Sequence, residues 1–198
     1  MAQKYAFLVD PGKCIMCRSC VVACKVENHV GSQWQRNDVV LIGPDQSKNP
    51  AAYAVFMNCQ QCEFPPCVAA CPVEGKALEK RDDGIVLFKQ DKCVGAQMCV
   101  VACPYGAPRL TPVKSKYGYF QSDKCTFCAH KLDRPADGPG SNRPACAMVC
   151  PTNAIEFGER DKLLAKVKES GREILDIDFA KVGPSNIFLK PVPVRREL

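Results

Sequence analysis

Cysteine is the residue type best suited to chemistry in this sequence, and its spacing says which chemistry. The stretch Cys93 to Pro104, CVGAQMCVVACP, nearly spells C-x2-C-x2-C-x3-C-P, a run whose thiolates hold [4Fe–4S] cores. Ala96 stands where its second cysteine belongs. Cys14, Cys17, Cys20 and Cys24 form an unbroken run of the same kind. Cys59, Cys62, Cys67 and Cys71 form another, with two extra residues inside. Cys125, Cys128, Cys146 and Cys150 form a fourth group with a long insertion in its middle. These groups use all 15 cysteines of the 198-residue chain.

Three chemistries compete for so many thiols. Disulfides are disfavoured by the odd count and by the lack of an apolar signal segment ahead of the first group. Zinc suits paired C-x2-C units, whose four ligands make a tetrahedron. It suits C-x2-C-x2-C poorly, because that run brings three thiolates to one point and sends a fourth elsewhere. Soft, anionic donors held close together favour iron–sulfur cores. A multi-zinc interaction module is the alternative of another class.

The elements that position these ligands must be modest. Aromatic residues are 8% of the sequence, alongside 16 proline and 13 glycine, so bound clusters are expected to replace part of a conventional core. The formal charge of +6 would suit nucleic acid. Each thiolate-bound cluster, however, brings about −2, so four leave the holoprotein at about −2. The surplus Lys and Arg are then counter-charge, and no nucleic-acid partner is expected. The start, MAQKYAFLVDPGKC, leads straight into a strand and the first ligand, and no apolar run approaches 18 residues. The expectation is a soluble, cytoplasmically made protein with no membrane span, open to export already folded on a partner's twin-arginine signal.

Residues 4–9 predict a strand, and Asp10-Pro11-Gly12 a turn that delivers Lys13 and Cys14. Cys20 and Cys24 stand four apart and share one face of a helix running to about His29. Pro72, Pro104 and Pro151 follow the last cysteine of the other groups and stop their helices; Lys25 takes that place in the first. Residues 30–52 read as a connecting loop over a cluster, and 53–57 as a strand before Asn58. Residues 77–80 and 85–88 make a hairpin around Asp83-Gly84. Residues 109–113 and 117–120 make a second, turning near Lys116. Residues 154–157 close the fourth group as a strand. The Pro/Gly-rich insertion 130–145 is a surface loop. Leu163, Leu164 and Val167 lie at helical spacing ahead of Gly171, so 161–170 is a helix. The rest, through Pro191-Val192-Pro193, reads as an extended strap.

Strand, ligand loop, short helix, Cys-Pro and hairpin thus recur, an internal repeat of four recognisable copies. In two-cluster ferredoxins the fourth cysteine of each run ligates the other run's cluster, so the groups must pair. Groups two and three, separated only by 72–92, pair easily, which leaves groups one and four to pair around the outside.

The order of the groups, the segment CQQCEFPPCVAACP, the phrase DGIVLFKQDKC and the block KCTFCAHKLDRP…PACAMVCPTNAI resemble a known family over about residues 4–190. That family is the four-cluster ferredoxin-like electron-transfer subunit of the dimethyl sulfoxide reductase family of molybdenum or tungsten pterin oxidoreductases. The resemblance implies the pairing one with four and two with three. Cluster 1 would use Cys14, Cys17, Cys20 and Cys150, and cluster 4 Cys125, Cys128, Cys146 and Cys24. Cluster 2 would use Cys59, Cys62, Cys67 and Cys103. Cluster 3 would keep only Cys93, Cys99 and Cys71, because of Ala96. The resemblance also implies a large pterin-containing catalytic subunit as partner, beside a membrane-anchor or other redox subunit.

Other residues take plainer expectations. His29 and His130 read as surface or hydrogen-bonding histidines, and Trp34 as packing. Phe64, Phe127 and Tyr105 read as shields of the clusters from water, which tunes potential. Lys13, Lys92 and Lys124 each precede a ligand, either raising potentials or simply solvated. At the third cluster the nearest polar side chains in sequence are Gln97, a poor iron donor, and Asp91, which precedes the run. That centre is therefore expected to be [3Fe–4S], or a [4Fe–4S] lacking one cysteine ligand, beside three [4Fe–4S] clusters.

The expected fold is α+β, of two ferredoxin-like halves with the second inserted in the first. The inner half is 53–113, the outer half 1–52 with 114–160, and 161–198 a helix and strap. The expected function is electron relay, since no catalytic residue constellation stands out. A relay for a hydrogenase or a tungsten aldehyde oxidoreductase is the nearest alternative.

Overall fold

The computed structural model describes residues 3–44, 52–134 and 142–191. Part of the 130–145 insertion and Val192-Pro193 of the expected strap lie outside them. The strands are β1 (Tyr5–Val9), β2 (Asp38–Ile42), β3 (Tyr53–Met57), β4 (Leu78–Lys80), β5 (Val86–Phe88), β6 (Arg109–Lys114), β7 (Phe120–Asp123), β8 (Ile155–Glu159), β9 (Ile174–Leu175) and β10 (Ile187–Leu189). The helices are α1 (Ser19–Glu27), α2 (Pro66–Ala69), α3 (Met98–Ala102), α4 (Ala129–Leu132), α5 (Ala145–Met148) and α6 (Arg160–Ser170).

β1 is central because both of its faces are apolar. Ala6 and Leu8 pack with Leu163 and Val167 of α6, while Phe7 and Val9 face the cysteine-bearing core. This is the alternation a pleated strand imposes. β1 pairs antiparallel with β8, Phe7 opposite Phe157, and parallel with β10, giving the order β8-β1-β10-β9. Three two-stranded sheets, β2-β3, β4-β5 and β6-β7, carry the other ligand loops. The result is a small α+β protein in which α1 packs on α5 and α2 on α3. α6 ends at Gly171, whose φ of +66° suits glycine at a helix C-terminus.

Four elements differ from expectation, the first being the 130–145 insertion, which begins inside α4 and ends at α5. The connecting loop contains β2, which pairs with β3 along its whole length from Asp38↔Met57 to Ile42↔Tyr53. Its DVVLI run is β-branched and apolar, and the polar residues around it mask that pattern. The return strand of the second hairpin begins at Phe120, because the turn occupies Ser115 to Gly118, whose N–H donates to Ser115 O at 2.9 Å. The tail is more than a strap. β10 enters the main sheet beside β1, and Ser185 N donates to Gln60 O at 2.8 Å and Glu63 N to Gly183 O at 2.7 Å.

Candidate metal centre

Each ligand loop starts from a strand end and closes on a short helix. In the first and third groups the backbone turns through the same left-handed positions, Met16 and Arg18 in one and Gly95 and Gln97 in the other, with φ from 56° to 83°. Such turns point successive N–H groups inward and form anion-binding concavities. Gly95 also meets the β6-β7 hairpin: a Cβ there would lie 2.6 Å from Tyr119 Cβ and 2.9 Å from Phe120 O.

All fifteen cysteines are free thiols, and most are buried. They gather across the fold rather than along the sequence. Burial, together with Cys14, Cys150 and Cys17, pushes the Cys20 thiol up to about 12. Burial pushes Cys24 up, reinforced by Cys125 and Cys128, and Cys146 likewise, reinforced by Cys125, Cys24 and Cys128. Cys62 is pushed up to about 12 by burial and then by Cys59, Cys67 and Cys103. Cys99 is raised by burial and then by Cys93 and Cys71. Crowded thiols of this kind need a cationic core to ionise together, and a coordinating metal deprotonates a thiol outright. Among the described residues, no three His, Cys, Asp or Glu side chains gather tightly enough for a single ion. Soft thiolates held in groups suit iron–sulfur cores.

Hydrogen-bond donors already aim at the sulfurs. Ala107 N and Ala154 N, each four residues after a cysteine, donate to Cys103 Sγ at 3.4 Å and Cys150 Sγ at 3.2 Å. Phe127 N donates to Cys125 Sγ at 3.4 Å. Two asparagines that sequence reasoning missed do the same over long range. Asn28 Nδ2 faces Cys24 Sγ and Cys128 Sγ, each at 3.7 Å, and Asn58 Nδ2 faces Cys125 Sγ at 3.6 Å. Asn58 is held by Asn186 of the tail at 2.9 Å. An Asn immediately before Cys59 is the one visible signal of this set.

The plainer residues separate. His130 Nε2 pairs with Glu27 Oε1 at 2.7 Å, and that contact holds the Glu27 carboxyl below its usual range. Trp34 Nε1 donates to Asp123 Oδ2 at 3.2 Å, beside the Arg36–Asp123 ion pair at 2.8 Å. Phe127 is buried against Phe7 and Phe157 and fills the core. Tyr105 is partly buried and bonds Ile177 O at 3.2 Å. Phe64 is exposed. Lys13 and Lys92 are exposed, whereas Lys124 is fully buried and donates to Val86 O and to Cys125 O. Lys25, in place of proline, staples the loop after α1 by donating to Gly31 O at 2.8 Å, Ser32 O at 3.2 Å and Trp34 O. Ala96 is exposed, at the same outward place in its loop as the exposed Cys17.

No helix among the described residues is long and apolar enough to cross a membrane. Residues 51–160 match the profile of the 4Fe-4S dicluster domain family. The sequence is 38% identical to the thiosulfate reductase electron transfer subunit of Salmonella typhi, over 95% of its own length and 93% of that protein's. It is 39% identical to a polysulfide reductase subunit of Wolinella succinogenes, over 85% and 83%. It is 31% identical to an anaerobic dimethyl sulfoxide reductase subunit of Escherichia coli, over 96% and 90%. With cysteines gathered for iron–sulfur cores and relatives that match it almost end to end, this protein belongs to the iron–sulfur electron-transfer subunits of the dimethyl sulfoxide reductase family.

Proposed function

We propose that this protein relays electrons to or from a catalytic subunit that carries a molybdenum or tungsten pterin centre, with a membrane-anchor or other redox subunit as the second contact. The observation that carries the reading is the meeting of cysteines from distant groups. Cys20 with Cys150 and Cys24 with Cys128 support the crossed pairing of groups one and four. Cys62 with Cys103 and Cys99 with Cys71 support that of groups two and three. The ligand sets are then Cys14, Cys17, Cys20 and Cys150; Cys125, Cys128, Cys146 and Cys24; Cys59, Cys62, Cys67 and Cys103; and Cys93, Cys99 and Cys71. Three sets suit [4Fe–4S] clusters. The last suits [3Fe–4S], or a [4Fe–4S] whose corner at the exposed Ala96 meets water.

The sets also line up. Cys146 neighbours Cys20, Cys125 neighbours Cys59, and Cys67 neighbours Cys99. That order, one, four, two, three, suits a path through the molecule. Bound clusters supply one-electron sites along it. The protein's own part is to hold the thiolates, offer N–H groups to the sulfurs and exclude water with Phe127 and its neighbours. In domain terms, 53–113 is a half inserted between 1–52 and 114–160, and 161–198 closes the outer half through β10. Assembly takes place in the cytoplasm, and any export is as a folded complex on the partner's twin-arginine signal.

The test is turnover. The purified protein, free of a pterin-containing partner, is reduced by dithionite but turns over no thiosulfate, polysulfide or dimethyl sulfoxide with an artificial electron carrier. Turnover by this subunit alone overturns the reading.

A further inference from the structure

The third cysteine group leaves one buried hydroxyl without a partner. Ser122 on β7 is 1% exposed. Its Oγ makes no hydrogen bond of ordinary geometry among the described residues. Burying a polar group unpaired is costly, and each such group in a native protein calls for an explanation. Ser122 lines a cavity together with Cys71, Cys93, Ala96 and Cys99. Of the cysteines on that cavity, Cys71 and Cys99 are buried like Ser122 itself.

The residues on either side keep Ser122 in place. Gln121 Nε2 donates to Gln90 O at 3.0 Å and to Cys93 O at 2.9 Å, tying β7 to the start of the third ligand loop. Asp123 is held by Arg36 at 2.8 Å and Trp34 at 3.2 Å. Between two such anchors the Ser122 side chain remains on the cavity side of the strand. Ala96 and Ser122 line the same cavity, the first exposed and the second buried. A neutral hydroxyl is a poor match for iron beside soft thiolates, so Ser122 is read as a donor to sulfur and not as a substitute for the missing cysteine.

We propose that Ser122 donates a hydrogen bond to a sulfur of the third iron–sulfur centre, at Cys99 or the sulfide next to it, and so raises that centre's reduction potential. The proposal rests on the reading of Cys71, Cys93 and Cys99 as its ligands. A donor aimed at a cluster sulfur favours the form that carries more negative charge, which is the reduced one. Ser122 is a tuning residue that acts through sulfur. Its signature is a shift in potential without loss of iron.

The experiment compares wild type, Ser122→Ala and Ser122→Thr as full-length proteins in the native complex. Iron content, the oxidised paramagnetic signal and its potentiometric titration are read on each. Ser122→Ala keeps its iron and signal, while the reduction equilibrium falls about tenfold, a midpoint lower by about 59 mV for one electron. Ser122→Thr, which keeps the hydroxyl, restores most of the shift. In wild type after exchange into deuterium oxide, electron–nuclear double resonance detects an exchangeable proton coupled to the centre, and the alanine variant lacks it. An unchanged midpoint in Ser122→Ala with full iron overturns the proposal, and so does selective loss of one iron, which would make Ser122 a ligand. Should the alanine variant not assemble, absence of the exchangeable coupling in wild type overturns it equally. A failure of the underlying ligand reading is separate: Cys99→Ser would then leave the third centre's signal untouched.

Discussion

Asn28 holds its side-chain nitrogen 3.7 Å from the sulfur of Cys128, 100 residues away in sequence, and equally far from that of Cys24. Its carbonyl oxygen accepts from Arg36 at 2.9 Å. One amide thus ties the end of α1, the covering loop and the fourth group together. Asn28→Ala strips two sulfurs and a partly buried guanidinium of a partner. The expected cost is about 1–3 kcal/mol of stability, with a lower potential for the fourth-group centre alone. Denaturant unfolding and potentiometric titration check this; an unmoved potential would mean the amide serves packing only.

Among the lysines that precede ligands, Lys124 differs in kind from Lys13 and Lys92. It is fully buried, bonds two carbonyls and lies near Cys67, whose thiol burial pushes up to about 12 against the lysine's pull. Removing the ammonium leaves two buried carbonyl oxygens without this donor, a loss of about 1–3 kcal/mol. Lys124→Met should therefore lose about that much stability and lower the potential of the second-group centre. Lys13→Met and Lys92→Met, changes at exposed sites, should stay within about 0.5 kcal/mol. Equal effects at all three sites would remove the distinction.

Gly31 lies beneath the Trp34 ring, where an added Cβ would come within 2.9 Å of Cη2. Gly31→Ala must push the indole off Asp123 or shift the loop that Lys25 staples. Overpacking of this kind costs about 1–3 kcal/mol. Trp34 is the only tryptophan, so its emission reports the change directly and should move to the red. An unshifted emission at wild-type stability would show that the loop accommodates the methyl freely.

Much of this arrangement can be read from sequence, and the parts that cannot have a common cause. Strand 53–57 and helix 160–170 announce themselves because their side-chain periods are local and their ends carry Asn58 and Gly171. β2 was hidden by the polar residues around Val39 to Ile42, and β10 by the Pro- and Gly-containing tail. Spacing alone grouped the cysteines. The long-range neighbours of the sulfurs were not legible: Asn28, Asn58 and Ser122 are common surface residue types, and only the folded protein brings them to thiols far away in sequence. The burial of Lys124 was equally silent, since Lys13 and Lys92 occupy the same place before a cysteine and remain exposed.

Ala96 offers no lone pair to iron and stands at an exposed corner of its loop. Anaerobically prepared, oxidised protein should therefore show the near-isotropic resonance of a three-iron centre. Ala96→Cys restores the run and should abolish that resonance in favour of a fourth [4Fe–4S] cluster. An oxidised spectrum without the signal, from protein with a full iron complement, would favour the four-iron form with water at the open corner.

Metal analysis tests the central reading most directly. In the native complex, with the partner's own metal subtracted, this subunit should carry about 15 irons and about 16 acid-labile sulfides and no stoichiometric zinc, as expected for three four-iron cores and one three-iron core. Dithionite should bleach its brown colour. Colourless protein with zinc in place of iron and sulfide would contradict the account at its root, and about half the expected iron would contradict a four-cluster subunit.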